Sequence, residues 1–182
     1  MKIITVIQAR MSSTRLPGKV MLPILGRPLL IRTIERVQAA KLIGQLVVAT
    51  SVNPDDDEIE KLCIENGITC YRGHLTDLLD RHYQVGKLFG ADAIVKIPSD
   101  CPLIDPRVID KVLEHYINSD EFDYVSNLHP ASYPDGNDVE IFSLEAIECA
   151  WKDAIKDFER EHTTPFIWEN QDYFSIGNVT WE

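Results

Sequence analysis

Between positions 8 and 19 the chain reads Gln8-Ala9-Arg10-Met11-Ser12-Ser13-Thr14-Arg15-Leu16-Pro17-Gly18-Lys19. Arg10, Arg15 and Lys19 are positive at neutral pH, hydroxyl residues stand between them, and Pro17-Gly18 bends the chain before the lysine. A loop with that content neutralises a ligand carrying several negative charges, and a polyphosphate is the simplest such ligand. Farther along, Asp100 in Pro98-Ser99-Asp100-Cys101-Pro102 offers an oxygen ligand of the kind Mg²⁺ prefers. Cations for the phosphates and a carboxylate for the metal are the minimum apparatus of phosphoryl or nucleotidyl transfer. That chemistry needs orientation and charge neutralisation more than covalent help. The competing reading of the loop is a solvated surface segment that happens to be basic.

The distribution of charge favours the ligand site. The 182 residues carry 18 Lys and Arg against 29 Asp and Glu, a net charge of −11. Residues 1–36 hold seven basic residues against the single acid Glu35, so that part is +6 and the remainder −17. An acidic body argues against nucleic acid and against anionic membrane as partners, because both require an extended basic face. No apolar stretch spans a bilayer and the N-terminus lacks signal-peptide features, so a cytoplasmic location is expected. Cys63, Cys70, Cys101 and Cys149 lack C-x-x-C pairing and are expected to be reduced thiols, at least three of them packing residues, with Cys101 read as a packing residue rather than a nucleophile.

Alternating elements must position these groups. Ile3-Ile4-Thr5-Val6-Ile7, Leu46-Val47-Val48-Ala49-Thr50, Ile68-Thr69-Cys70-Tyr71 and Ala93-Ile94-Val95-Lys96-Ile97 are short apolar, β-branched runs, as in strands covered on both faces. Helical patterns lie between and after them. One is expected to begin near Pro28, a second after Asn53-Pro54, a third over residues 77–89 and a fourth from Asp105-Pro106 to about Ile117. The acidic run Asp55-Asp56-Asp57-Glu58 is explained as a helix start rather than a metal site, and His82, on an apolar face, as a core histidine. This pattern predicts an α/β fold, a mainly parallel, doubly wound Rossmann-like sheet in one domain. With strand order 3-2-1-4, the first and fourth strands adjoin and the basic loop faces Asp100 over one crevice.

The last third changes character. Residues 123–126 and 138–142 are strand-like and flank a polar, Pro- and Gly-containing loop at 127–137, expected to be a substrate-facing flap. Ser143 is expected to cap a helix to about Ala154, Pro165 to kink or end a helix that starts near Asp157, and residues 173–176 to form a final strand. Asp138 and Glu140 share a side if their segment is a strand, where they contact substrate or a second metal, or simply face solvent. Trp151, Phe166, Trp168 and Trp181 suit a homodimer interface and suit a core equally well.

The basic loop contains neither a Walker A motif nor G-x-G-x-x-G, which demotes ATPases, GTPases and NAD dehydrogenases. The run Val6 through Lys19 instead resembles the signature of the cytidylyltransferases that make CMP-activated sugars, including 3-deoxy-manno-octulosonate cytidylyltransferase. Within that family it is closest to the branch of spore coat polysaccharide biosynthesis protein F. Asp77-Leu78-Leu79-Asp80-Arg81, the run Pro98 through Asp105, and Asp135-Gly136-Asn137-Asp138-Val139-Glu140 are similar to that branch as well. The resemblance implies a nucleotidyltransferase fold and transfer of CMP from CTP to a sugar or sugar acid, with Mg²⁺ as cofactor. It assigns Gln8, Ala9, Arg10, Ser12, Arg15, Lys19, Asp77, Arg81 and Pro98 to the nucleotide, Asp138 and Glu140 to the acceptor, Asp100 to the metal, and Arg10, Lys19 and Asp100 to catalysis. Asp77 read by itself is also a helix cap, and Arg81 also a surface residue. A later metal-binding segment usual in the family is not found before Trp181-Glu182, so the 1–182 domain is expected to lack it. A nucleotide-binding relative that no longer turns over, a nucleotidyltransferase using another nucleotide and a sugar phosphate, and a glycosyltransferase-like domain are the competing functions.

Overall fold

The computed structural model describes residues 1–119 and 121–181. In chain order the strands are β1 (Ile3–Gln8), the short hairpin β2 (Pro23–Ile24) and β3 (Arg27–Pro28), β4 (Gln45–Ser51), β5 (Thr69–Gly73), β6 (Ala93–Pro98), β7 (Tyr124–Ser126), β8 (Glu140–Ser143) and β9 (Ile176–Asn178). The helices are α1 (Leu29–Gln38), α2 (Asp57–Glu65), α3 (Leu78–Phe89), α4 (Pro106–Ile117), α5 (Leu144–Asp153), α6 (Asp157–His162) and α7 (Pro165–Glu169). A seven-stranded sheet runs β5-β4-β1-β6-β8-β7-β9. Its first four members are mutually parallel and occur in the expected order 3-2-1-4. The extension is mixed: β8 is antiparallel to β6 and to β7, while β9 is parallel to β7.

Burial explains why those runs are strands. Ile4, Val6, Ile7, Val47, Val48, Ala49, Ile94, Val95 and Ile97 are all fully buried, divided between two apolar cores on opposite faces of the sheet. One core packs under α1, α2 and α4, and the other under α3, α5 and α7. Such a sheet needs apolar side chains at successive positions and not only at alternate ones.

Cap chemistry sets most helix starts. Asn53 Oδ1 accepts from Asp55 N (3.0 Å) at a 3-10 turn leading into α2, Asp77 Oδ1 accepts from Asp80 N (2.8 Å), Asp105 Oδ1 from Arg107 N (2.9 Å) and Ser143 Oγ from Ala146 N (3.0 Å). Three expectations need correcting. Pro28 stands before α1 with extended backbone, so the helix begins at Leu29. Pro165 opens α7 instead of kinking a longer helix, since the break comes earlier, at Thr163, with φ of 74°. The last strand is displaced to 176–178, because Tyr173 N and Phe174 N both donate to Asn170 O and hold 170–174 in a turn. Most of the aromatic residues considered for an interface pack within the chain. Trp151 donates to Asp80 Oδ1 (2.8 Å) and Trp168 stacks on His129 with centroids 4.4 Å apart, whereas Trp181 is exposed.

Candidate active site

Gln8 at the end of β1 pairs with Pro98 at the end of β6, so residues 9–19 and 99–105 leave the sheet side by side. Three adjoining cavities open there. The central one, about 270 Å³, is lined by Gln8, Ala9, Arg10, Ser13, Thr14, Arg15 and Lys19 from the loop, by Leu78 and Arg81 at the start of α3, and by Ser99. Of the residues expected at the nucleotide, six therefore meet here: Gln8, Ala9, Arg10, Arg15, Lys19 and Arg81. Ser12 does not line it. The loop turns Ser12 to solvent and presents Ser13 and Thr14 instead. The reversal comes from two bonds onto one carbonyl, Ser13 N (2.9 Å) and Gly18 N (2.8 Å) to Met11 O, closed by Gly18 at φ +69°.

Arg81 is not a surface residue: it is 1% exposed. Its Nε and Nη2 donate to His74 O (3.2 and 2.6 Å), and Nη2 donates also to Leu75 O (3.0 Å), which ties the guanidinium to the turn before α3. Burial pulls its pKa down to about 10, with the Asp56 charge opposing and the Arg10 charge assisting, so it remains a cation at neutral pH. Gln8 Oε1 is buried at the cavity wall without a hydrogen-bond partner.

Asp77 is placed differently from the expectation. Beyond capping α3, its Oδ2 accepts from Arg160 Nε (2.8 Å) and Nη2 (2.5 Å) on α6, which closes one side of a second cavity, about 320 Å³. Arg10 is the wall this cavity shares with the central one, and it lies 3.9 Å from Glu161 of α6. Nothing in the spacing of the sequence ties α6 to the loop, and the sequence reading missed Arg160 and Glu161.

A third cavity, about 520 Å³, lies beyond Arg15 and takes in Pro98, Asp100, Asp135, Gly136 and Asp138. Of the flap expected at 127–137, Asp135 and Gly136 line this cavity. Asn127 pins the base of the flap, with Oδ1 accepting from Val139 N (3.0 Å) and Nδ2 donating to Asn137 O (2.6 Å), while Asn137 Oδ1 accepts from Asp105 N (3.0 Å). Burial, with the Asp135 charge next, pushes the Asp138 carboxyl above its ordinary value. Cys101, at the edge of the same cavity, is pushed up to about 12 by burial and by Asp100, and is a packing thiol rather than a nucleophile at neutral pH.

Glu140, expected at the acceptor, lines none of the three cavities. The strand β8 begins at Glu140, so Asp138 and Glu140 do not share a strand face, and Glu140 is buried at 4% exposure. It ion-pairs with Lys96 on the neighbouring strand and accepts from Tyr124 Oη (2.8 Å) and Thr164 Oγ1 (2.5 Å). Those partners leave its oxygens nothing to offer a ligand. Burial by itself would raise its pKa, but Lys96 and the hydrogen bonds win and hold it below its ordinary value.

The donor set of the third cavity fits Mg²⁺. Asp100, Asp135 and Asp138 face one space, and their mutual repulsion would be relieved by a hard cation. Among the described residues no three His, Cys, Asp or Glu side chains are grouped tightly enough to hold a metal by themselves. An ion at Asp100 would therefore be shared with phosphate oxygens, the usual arrangement for Mg²⁺ at nucleotides.

The family model described as cytidylyltransferase matches residues 4–180, which includes all three cavities and the sheet beneath them. The chain belongs to the cytidylyltransferase family. A cytidylyltransferase from Leptospira borgpetersenii superposes with a TM-score of 0.94 at 34% identity, covering 100% of this chain and 77% of that one. Spore coat polysaccharide biosynthesis protein SpsF of Bacillus subtilis is 32% identical over 171 residues, 91% of this chain and 69% of that protein. An uncharacterized protein of Methanocaldococcus jannaschii is 40% identical over 176 residues, 97% of this chain and 71% of that protein. The expected family and nucleotidyltransferase fold are thus both established, and among the described residues no helix is long and apolar enough to cross a membrane.

Proposed function

We propose that the protein transfers CMP from CTP to a sugar or sugar acid, releasing pyrophosphate, and that the product feeds a surface polysaccharide. The observation that carries this reading is the juxtaposition of a cavity walled by Arg10, Arg15, Lys19 and Arg81 with a second, acidic cavity across Arg15. The first suits a triphosphate and its nucleoside. The second suits a hydroxyl-rich acceptor, whose attacking oxygen would approach the α-phosphorus from the Asp100 side while the bond to the β-phosphate breaks. Membership of the cytidylyltransferase family supports CTP as the nucleotide, and the likeness to the spore coat protein supports a glycan destination.

In this reading Arg10, where the central cavity adjoins the second, and Arg15, where it adjoins the third, orient the phosphates, and Lys19 neutralises charge on the departing pyrophosphate. Asp100 would hold Mg²⁺, which when bound supplies charge neutralisation and alignment of the phosphate oxygens. Asp135 and Asp138 accept hydrogen bonds from the acceptor's hydroxyls.

Calorimetric titration with CTP, ATP, GTP and UTP, each with and without Mg²⁺, tests the first half, and pyrophosphate release across a panel of sugars and sugar acids tests the second. Selective CTP binding weakened in Lys19→Ala, with metal dependence lost in Asp100→Ala, is the expected result. CTP binding without pyrophosphate release from any acceptor would instead favour a binding protein that does not turn over.

A further inference from the structure

We infer that Asp56 is a positioning residue that holds the phosphate-binding loop in shape. The acidic run 55–58 accounts for a helix start, yet its four members are not equivalent: Asp55, Asp57 and Glu58 are exposed, whereas Asp56 is 1% exposed. Its Oδ1 accepts from Met11 N (2.7 Å), and its Oδ2 accepts from Ser51 N (3.3 Å) and from Ser51 Oγ. All three donors are neutral, so a carboxyl group is buried with no cation bonded to it, an arrangement that costs free energy and needs a reason.

The loop supplies that reason. Among the described residues, the bond from Met11 N to Asp56 is the only hydrogen bond that ties the backbone of residues 10–17 to anything outside the loop. The carbonyl of the same residue, in the next peptide unit, accepts from Ser13 N and Gly18 N. Fixing the Met11 N–H therefore anchors the residue on whose carbonyl the rest of the loop closes, with Arg10 just before it and Ser13, Thr14 and Arg15 just after. The carboxylate also acts through space, since it favours the charged form of the buried Arg81 while the neighbouring Arg10 opposes it. Asp56 thus sets the loop's shape and offsets part of the repulsion between Arg10 and Arg81.

The inference rests on the proposed function only for the identity of the ligand. The test uses the full chain, with amide hydrogen exchange on the ligand-free protein and calorimetry with CTP and with inorganic tripolyphosphate. In Asp56→Ala, exchange at Met11, Ser13 and Gly18 is expected to accelerate about tenfold with β1 and β6 amides unchanged, and affinity for both ligands to fall about tenfold. Asp56→Asn keeps an acceptor for Met11 N and is expected to restore most of both, while Asp55→Ala, one residue away and exposed, changes neither. Wild-type exchange in the loop of Asp56→Ala would overturn the inference. So would exchange lost equally from β1 and β6, which marks a residue of general stability, and so would a loosened loop whose ligand affinities do not change. Binding of tripolyphosphate but not CTP by the wild-type protein would defeat the cytidylyltransferase reading alone.

Discussion

Lys19 and Asp100, 81 positions apart, form an ion pair across the carboxyl edge of the sheet, at the seam between the central cavity and the acidic one. The lysine belongs to the proposed phosphate site and the aspartate to the proposed metal site, so without a ligand each occupies the other. Both are partly open to water, where such a pair contributes ~1 kcal/mol or less. Nucleotide and metal together can separate it at little cost. Asp100→Asn is therefore expected to tighten metal-free CTP binding by up to about fivefold, by freeing Lys19, while lowering turnover about a hundredfold or more. Calorimetry without Mg²⁺ and steady-state pyrophosphate release measure the two effects. Weaker metal-free binding in the variant would show that Asp100 does not compete for Lys19.

Arg81→Met is expected to raise the CTP KM by about 10- to 100-fold, the loss associated with hydrogen bonds to a charged group. The buried guanidinium is fixed by two backbone carbonyls, so it is already in place before ligand arrives. Initial-rate kinetics in CTP checks this, with circular dichroism to establish that α3 survives. An unchanged KM would make Arg81 a structural tie between α3 and the turn before it.

Asp138→Asn should separate the two substrates. The residue lines the acidic cavity and not the central one, so CTP affinity is expected to stay within about twofold while kcat/KM for the acceptor falls about tenfold. Equal losses for both substrates would contradict the division of the site between the cavities.

Stability should fall in acid in two stages with different owners. Burial lowers the His82 pKa to about 3 from 6.5, partly opposed by its bond to Leu78 O (2.8 Å). A base whose folded pKa is depressed contributes stability that is complete above the unfolded value and is lost as pH falls. His82 therefore acts from about pH 6.5 downward, at up to about 1.4 kcal/mol per pH unit. The His129 pKa is also lowered by burial, to a lesser depth of cover, and adds in the same direction. Glu140, whose folded pKa lies below 4.5, likewise contributes above that value and loses its contribution only as pH drops past it. Urea titrations from pH 7 to 4 are expected to show the slope above pH 4.5 reduced in His82→Leu and unaltered in Glu140→Gln. The second variant is expected to be less stable by about 3–5 kcal/mol at pH 7, because Lys96 loses its buried partner. A wild-type slope in His82→Leu would mean that the histidine is not the titrating group.

The sequence by itself determined the four parallel strands with helices between them, and, once the order 3-2-1-4 is taken, the meeting of the basic loop with Asp100. These follow from local signals, namely β-branched runs long enough for one strand, caps at the helix starts, and the rule that ligands sit where the strand order reverses. It also determined that His82 is a core residue, because it lies on the apolar face of its helix.

Only the tertiary structure decided the division of labour among like residues. Two acids two positions apart separate, Asp138 to a cavity and Glu140 to a buried pair with Lys96, because β8 begins between them and its partner strand supplies the cation. Asp56 turns inward while its neighbours face water, because the loop 45 residues before it presents an N–H with no other partner. Arg160 reaches Asp77 across 83 positions because α6 folds back over α3. Which face a charged side chain takes depends on what lies opposite it in space, and that information is spread along the whole chain.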